Sequence, residues 1–198
     1  MAIDPVLFDD VKVLDPVEAA GRTGADWDAD AGEYRIRIWD GEYRVDAVRK
    51  QILPERWGGG LLKEYMDLFI VHYLMKARAP SLTGEWVSEK DIPGGSAFFR
   101  GPHTLPTADI ADAFGENLDG FAAVCEGLGG RPLDMADAAY VFEITPAVPM
   151  AVLLWEGDED FGAESKLLFD RSIDRHLPLD IIYAIAVLVC KVLCLPPE

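Results

Sequence analysis

One stretch of the sequence constrains the fold more than any other. Apolar and charged side chains alternate from Tyr34 to Trp39, and Tyr43 to Val48 supplies a second stretch of strand-forming residues. A period of two is typical of strands with one buried face. Asp40-Gly41 lies between the two stretches and favours a tight turn. The sequence therefore predicts an antiparallel hairpin.

A second hairpin and several helices are predicted further along the chain. The strands are predicted at Ala139 to Ile144 and Met150 to Glu156, since the connection between them is short enough for antiparallel pairing. Helical spacing and capping residues predict three long helices and two short ones. The long helices are Leu61 to Ala79, Thr107 to Leu128 and Leu179 to Leu195; the short ones are Asp15 to Gly21 and Ala163 to Phe169.

This order of elements predicts an α+β fold. We expect one mainly antiparallel sheet of four to six strands, built from the two hairpins and packed by the three long helices. With 198 residues, half of them apolar, the chain is expected to form a single globular domain over residues 1–198. Within it, residues 1–30 are predicted to be a helical segment and loop, and residues 80–106 a long ordered loop region.

The charge of the chain excludes some classes of partner. It has 35 acidic and 18 basic side chains, a formal net charge of −17, which repels nucleic acids and anionic lipids. The most apolar segment, Ile181 to Val189, is too short to cross a membrane. Acidic residues interrupt the beginning of the sequence where a secretory leader would be apolar, so we expect a cytoplasmic protein.

Cysteine and histidine give little indication of a cofactor. The cysteines are Cys125, Cys190 and Cys194. Cys190 and Cys194 would share a helix face and could bind a soft metal, but their apolar neighbours favour a core role. The three histidines form no paired ligand motif, and no serine lies in a nucleophile elbow. The sequence indicates no cofactor, and the catalytic residues, if there are any, are unknown.

The densest group of polar residues is the run from Trp155 to Phe161. Four carboxylates, Glu156, Asp158, Glu159 and Asp160, occupy five positions after an apolar strand. Such a run could bind a hard cation, and a weak metal hypothesis names Asp158, Glu159 and Asp160. No cation-loop spacing supports that hypothesis. A solvated loop, or carboxylates that cap the next helix, is the favoured interpretation.

Glu85-Trp86 forms a second aromatic and acidic motif, inside the region 80–106. A tryptophan beside glycine can form the wall of a ligand pocket, although it can equally fill the core under a long loop. The candidate ligand-binding residues from both motifs, with one carboxylate further along the chain, are Glu85, Trp86, Trp155, Glu156, Asp158, Glu159 and Asp170.

Four ordered motifs resemble an uncharacterised family of anaerobic bacteria and archaea, domain-of-unknown-function family 3786. They are Leu82 to Val87, Ile92 to Gly95, Pro149 to Phe161 and Leu167 to Asp170. The family's residue roles are unassigned, so the resemblance implies no catalytic residue. Some members look like fusions to a four-cysteine iron–sulfur domain of the kind found in corrinoid proteins. This chain lacks such a cluster, so an iron–sulfur or corrinoid protein would have to be a separate partner.

Three functions follow as hypotheses. The first is a non-catalytic accessory or small-molecule-binding protein of anaerobic metabolism, with a pocket formed by the Trp86 and Trp155 segments. The second is an interaction module whose acidic surface docks a basic partner. The third is a metal-dependent enzyme that uses carboxylates such as Glu85, Asp158, Glu159 and Asp170.

Overall fold

The computed structural model describes residues 3–39, 41–54 and 60–195. The helices are α1 (Val6–Lys12), α2 (Pro16–Thr23), α3 (Gly60–Lys76), α4 (Gly95–Phe98), α5 (Ala108–Phe114), α6 (Leu118–Gly127) and α7 (Leu179–Leu193). The strands are β1 (Asp26–Asp28), β2 (Glu33–Ile38), β3 (Gly41–Asp46), β4 (Gln51–Leu53), β5 (Trp86–Ser88), β6 (Arg131–Pro132), β7 (Ala138–Thr145), β8 (Val148–Trp155) and β9 (Glu164–Asp170). Short 3₁₀ turns follow at Gly101–His103 and Arg171–Arg175.

The α+β class is confirmed, but the strands form two sheets where one was predicted. The first sheet has the order β1-β2-β3-β4 and the second β5-β9-β8-β7-β6, and every pairing is antiparallel. The first hairpin, β2 and β3, pairs with the short strands β1 and β4, and the second hairpin, β7 and β8, pairs with β6 and β9. The two hairpins therefore do not pair with one another. The sheets meet at Trp39, whose amide donates to the carbonyl of Ile144 at 2.7 Å.

The first hairpin is confirmed as β2 and β3. Tyr34, Ile36 and Ile38 are buried, while Arg35 and Arg37 between them are exposed. Because side chains alternate across a strand, this pattern gives one core face and one solvent face. Asp40 of the predicted turn lies outside the described residues.

The main core is built around α7, in which eleven of the fifteen residues are buried. Its predicted span, Leu179 to Leu195, is close to the observed one. Helix α7 packs against α3 and, at Lys191, contacts α5 through an ion pair with Asp109 at 2.6 Å. In the described part of the chain, none of the helices combines the length and apolar character that crossing a bilayer requires.

Helix α3 ends three residues before the predicted Ala79, and Arg22 of α2 caps it. The guanidinium donates to the carbonyl of Ala77 at 2.7 Å and to that of Leu74 at 2.6 Å. Glu18 holds the same guanidinium from the other side, at 2.8 Å. Because the last carbonyls of a helix lack partners within it, a buried cation there satisfies them and complements the helix dipole.

Two helix predictions were wrong. The predicted helix from Thr107 to Leu128 is two helices, α5 and α6, which are separated at Gly115. The predicted short helix from Ala163 to Phe169 is strand β9, in which buried and exposed residues alternate through its first four positions. The prediction of three long helices therefore does not hold.

The two segments singled out in the sequence are largely structured. Residues 1–30 contain α1, α2 and β1. Asp15 caps α2 as the sequence indicates, since its carboxylate accepts from the amides of Val17 and Glu18. Residues 80–106 contain β5, α4 and a 3₁₀ turn. Tyr183 of α7 holds this region by donating to the carbonyl of Pro102 at 3.1 Å.

Replacing Arg22 tests the helix cap. We expect Arg22→Gln to lower the free energy of unfolding by about 2 kcal/mol, because two part-buried carbonyls at the end of α3 and the Glu18 carboxylate lose a charged donor. Urea denaturation followed by circular dichroism measures the change. The control is Arg49→Gln, which also removes one ion-paired arginine, but one with 76% of its side chain exposed. The control should lose less than about 0.5 kcal/mol, and equal losses would contradict the cap.

Candidate functional site

The two tryptophans of the candidate motifs, Trp86 and Trp155, lie on one face of the second sheet. Ala139, Ala151 and Leu153 form a small buried cluster there, separate from the main core. Five partly buried side chains pack on this cluster: Trp86, Leu133, Val141, Trp155 and Leu168. We call these eight residues the tryptophan face. None of its members comes from a described helix, whereas the helices cover the opposite side of the sheet.

Trp86 reaches this face because β5 pairs with β9. In the register of these strands Trp86 lies opposite Asp170, and Ser88 lies opposite Leu168. Since cross-strand partners project to the same side of a sheet, Trp86 and Leu168 both point away from the main core. A three-residue strand has few backbone hydrogen bonds, so other contacts must hold β5 in place.

Asp170 supplies the strongest of those contacts. One carboxylate oxygen accepts from the amide of Thr83 at 3.1 Å and from its hydroxyl at 3.0 Å, and the other accepts from the amide of Gly84 at 2.8 Å. Ser172 adds its amide at 2.9 Å and its hydroxyl at 2.6 Å. The carboxylate thus joins the segment before β5 to the turn after β9.

These five donors also determine the charge of Asp170. Burial would raise the pKa of the carboxyl, but the hydrogen bonds from Ser172, Thr83 and Gly84 outweigh burial and lower it to about 2. The side chain is only 4% exposed. Asp170 is therefore an ionised structural carboxylate that internal donors surround.

Glu85 is held in a similar way by Arg171. The guanidinium donates through Nε at 2.5 Å and through Nη2 at 2.7 Å, and the Arg171 amide donates to the Glu85 carbonyl at 2.9 Å. The hydrogen bond from Arg171 lowers the pKa of Glu85. This pair lies in solvent at the edge of the sheet, so its main effect is to fix the orientation of β5.

Trp155 lies at the other end of the face, where β8 ends. It lies opposite Glu164, and the Lys166 ammonium is 5.0 Å from the centre of its ring. The next residue, Glu156, donates its amide to the Asp137 carboxylate at 2.9 Å. Trp86 and Trp155 are thus brought onto one surface, on which the side chain of Leu168 also lies.

The acidic run forms the loop between β8 and β9. Asp158 accepts from the amides of Asp160 at 2.8 Å and Phe161 at 2.7 Å, while Glu156, Glu159 and Asp160 are exposed. The expectation that these carboxylates cap a following helix was wrong, because a strand follows. The same residue chemistry closes a turn through Asp158 instead.

The positions of the acidic, histidine and cysteine side chains bear on a metal site and on a reactive thiol. Among the residues the structure describes, no three or more histidine, cysteine or acidic side chains come together as a metal ion would require. Cys190 is fully buried, and burial raises the pKa of its thiol to about 12. A thiol held neutral in this way is a weak nucleophile and a weak ligand.

Two cavities lie elsewhere, in places that the sequence did not indicate. One of about 260 Å³ is lined by the N-terminal segment, β4 and α3, with Lys63 and Asp67 on its wall. A more open one of about 410 Å³ lies beside Trp27 and Arg35. Neither includes a predicted site residue. The sequence also missed Thr83, Arg171 and Ser172, although the Asp-x-Ser spacing of Asp170 and Ser172 is a local signal of a side-chain turn.

Replacing Asp170 tests its structural role. We expect Asp170→Asn to lower the free energy of unfolding at pH 7 by about 3 kcal/mol, because the amide nitrogen cannot accept from Gly84 or Thr83. Because folding lowers the pKa of Asp170, its charge contributes fully to the free energy of unfolding at pH values above the pKa of the unfolded chain. This contribution disappears as the pH falls from about 4 towards 2. Urea titrations at several pH values measure both effects, with the exposed Asp112→Asn as the control. A pH-independent difference between wild type and Asp170→Asn would contradict this assignment.

One comparison with known proteins identifies the family of the chain. The model of the family named Domain of unknown function (DUF3786) matches residues 15–192. This span begins at the cap of α2, contains both sheets, and ends in the last turn of α7. No curated protein and no solved structure matches the chain. The chain therefore belongs to the family of the domain of unknown function DUF3786.

Proposed function

We propose that this chain is a non-catalytic interaction module that binds a basic partner protein through the tryptophan face. The observation that carries the proposal is a sheet side with its own apolar cluster, on which no described helix packs. Apolar area of this kind, on an otherwise highly charged surface, is typical of docking sites. In this proposal the chain is an accessory protein that acts by docking a partner, and the ligand of the tryptophan face is a protein instead of a small molecule.

The composition of the face suits protein binding. Tryptophan and branched aliphatic side chains provide large contact areas and lose little conformational entropy, and tryptophan is enriched among residues that dominate binding energy. Ala139 and Ala151 lie beneath them on adjacent strands. Trp86 lies on the edge strand β5 and Trp155 at the end of the central strand β8, so a partner that spans this half of the sheet could contact both.

The charges around the face determine which partner it suits. Three basic side chains of the second sheet and the turn after it are each paired with a nearby carboxylate: Arg131 with Glu143, Lys166 with Glu164 and Arg171 with Glu85. Residues 134–137 and 156–160, at the Trp155 end, add six carboxylates and contain no lysine or arginine. The border is therefore negative and favours a partner with lysine and arginine around an apolar patch. It also opposes self-association, because two acidic borders would repel.

The internal contacts of the candidate carboxylates argue against the enzyme hypothesis. Asp170, Glu85 and Asp158 each accept hydrogen bonds from the chain itself. A general base or a metal ligand needs an oxygen directed at substrate or metal. These three direct their oxygens at amides, hydroxyls and a guanidinium, which is the arrangement of structural carboxylates.

A role in anaerobic metabolism, and an iron–sulfur or corrinoid partner, rest on the family resemblance alone and remain predictions. The acidic border of the tryptophan face sets one condition for such a partner. Such a partner would have to present a basic surface, since the tryptophan face has an acidic border.

A charge introduced into the face tests the proposal. We expect Leu168→Lys to weaken binding of the partner at least tenfold, because the ammonium repels a basic surface and interrupts the apolar contact. The partner is first enriched from an extract of the source cells on immobilised wild-type chain, then purified. Its Kd is measured by calorimetric titration at two salt concentrations. Wild-type affinity should fall as the salt rises.

The control is Val17→Lys on α2, which introduces the same charge at a position that is 78% exposed, on a helix that packs against α3 and β1. Its affinity should stay within twofold of wild type. Equal affinity of wild type and Leu168→Lys, at matched unfolding midpoints, would exclude the tryptophan face as the docking surface.

A further inference from the structure

Phe161 is the most exposed aromatic side chain in the described part of the chain. It is 75% exposed, in the loop of residues 156–163 that joins β8 to β9. Burying a phenylalanine side chain is worth about 2 kcal/mol, and this one remains in water. An aromatic ring held in solvent suggests a contact that the isolated chain does not contain.

The loop presents Phe161 in a fixed position. The Asp158 carboxylate accepts from the Phe161 amide at 2.7 Å, and the Asp158 amide donates to the Phe161 carbonyl at 2.8 Å. A Cβ at Gly157 would lie 2.9 Å from the amide nitrogen of Ala163, so the two limbs of the loop close tightly there. Because the backbone on both sides of the ring is held, binding would order little more than one side chain.

The loop that carries the ring is negatively charged. Glu156, Asp158, Glu159 and Asp160 precede the ring, and all four are exposed. The loop itself contains no lysine or arginine. A surface that receives this loop must bury a phenyl ring and neutralise several carboxylates.

We propose that Phe161 is an anchor residue, which inserts into an apolar pocket of the partner that lysine and arginine side chains surround. This inference rests on the proposed function and specifies the partner further: it must have a concave apolar site within a basic surface. The carboxylates would form charged contacts at the rim while the ring fills the pocket, the arrangement found where a few central residues dominate an interface.

A display library of small folded binding domains with randomised surfaces tests the anchor without knowledge of the natural partner. The library is selected on immobilised wild-type chain, and Kd values of the enriched clones are measured against wild type, Phe161→Ala and Val13→Ala. Val13 is 81% exposed and provides the matched apolar control on the end of α1. We expect basic clones with an apolar pocket, a loss of at least tenfold with Phe161→Ala, and less than twofold with Val13→Ala.

The same clones measured against Leu168→Lys separate this inference from the docking face. A loss with Phe161→Ala but not with Leu168→Lys supports the anchor and counts against the tryptophan face. A loss with Leu168→Lys alone overturns the anchor and leaves the face. Clones that bind Phe161→Ala as well as wild type, or that carry no excess of lysine and arginine, overturn the anchor. Because Phe161 is exposed, its replacement should leave the unfolding midpoint unchanged, which thermal denaturation verifies.

Discussion

The candidate surface depends on one buried carboxylate. Asp170 accepts hydrogen bonds from Thr83 and Gly84 before β5, and from Ser172 after β9. Strand β5 has three residues and lies at the edge of its sheet, where backbone pairing alone gives little stability. The five donors around Asp170 supply the missing constraint. Trp86 thus occupies one end of the tryptophan face because a charge on the neighbouring strand fixes the chain that leads to it.

The same carboxylate also shows how acidity has two roles in this chain. Most of the acidic side chains lie on the surface, where they contribute to the charge of −17. Asp170 and Asp158 instead organise backbone amides, and each closes a turn beside the tryptophan face. Carboxylates suit this task because an ionised oxygen accepts several hydrogen bonds, and each is stronger than one to a neutral acceptor. Acidic residues therefore both fix local turns and produce the negative potential of the surface.

The sequence predicted the elements whose signals are local. The first hairpin follows from the alternation of apolar and charged residues in its strands, and α3 and α7 follow from long apolar stretches. Strand β9 was missed because glutamate, lysine and leucine favour helices, and it is the pairing with β8 and β5 that makes it extended. The break between α5 and α6 comes at Asn117, which leaves the helical conformation and caps α6, while at Gly115 a Cβ would lie 2.2 Å from that of Ala163, a contact distant in sequence. Glu85, Trp86, Trp155 and Asp170 were named, but the contacts of Asp170 with Thr83 and Gly84 span 87 and 86 residues and leave no local pattern.

The arrangement of the second sheet relates the two proposed contacts. An acidic border acts over about a Debye length and attracts basic proteins generally, which raises the rate of encounter but selects weakly among them. Apolar contacts act only at short range and depend on shape, so they determine which encounters last. In the proposed docking, the tryptophan face and Phe161 would provide that second property. A partner that suits both the acidic border and the apolar contacts must combine positive charge with an apolar surface of complementary shape. Fewer proteins have both properties than have either one alone.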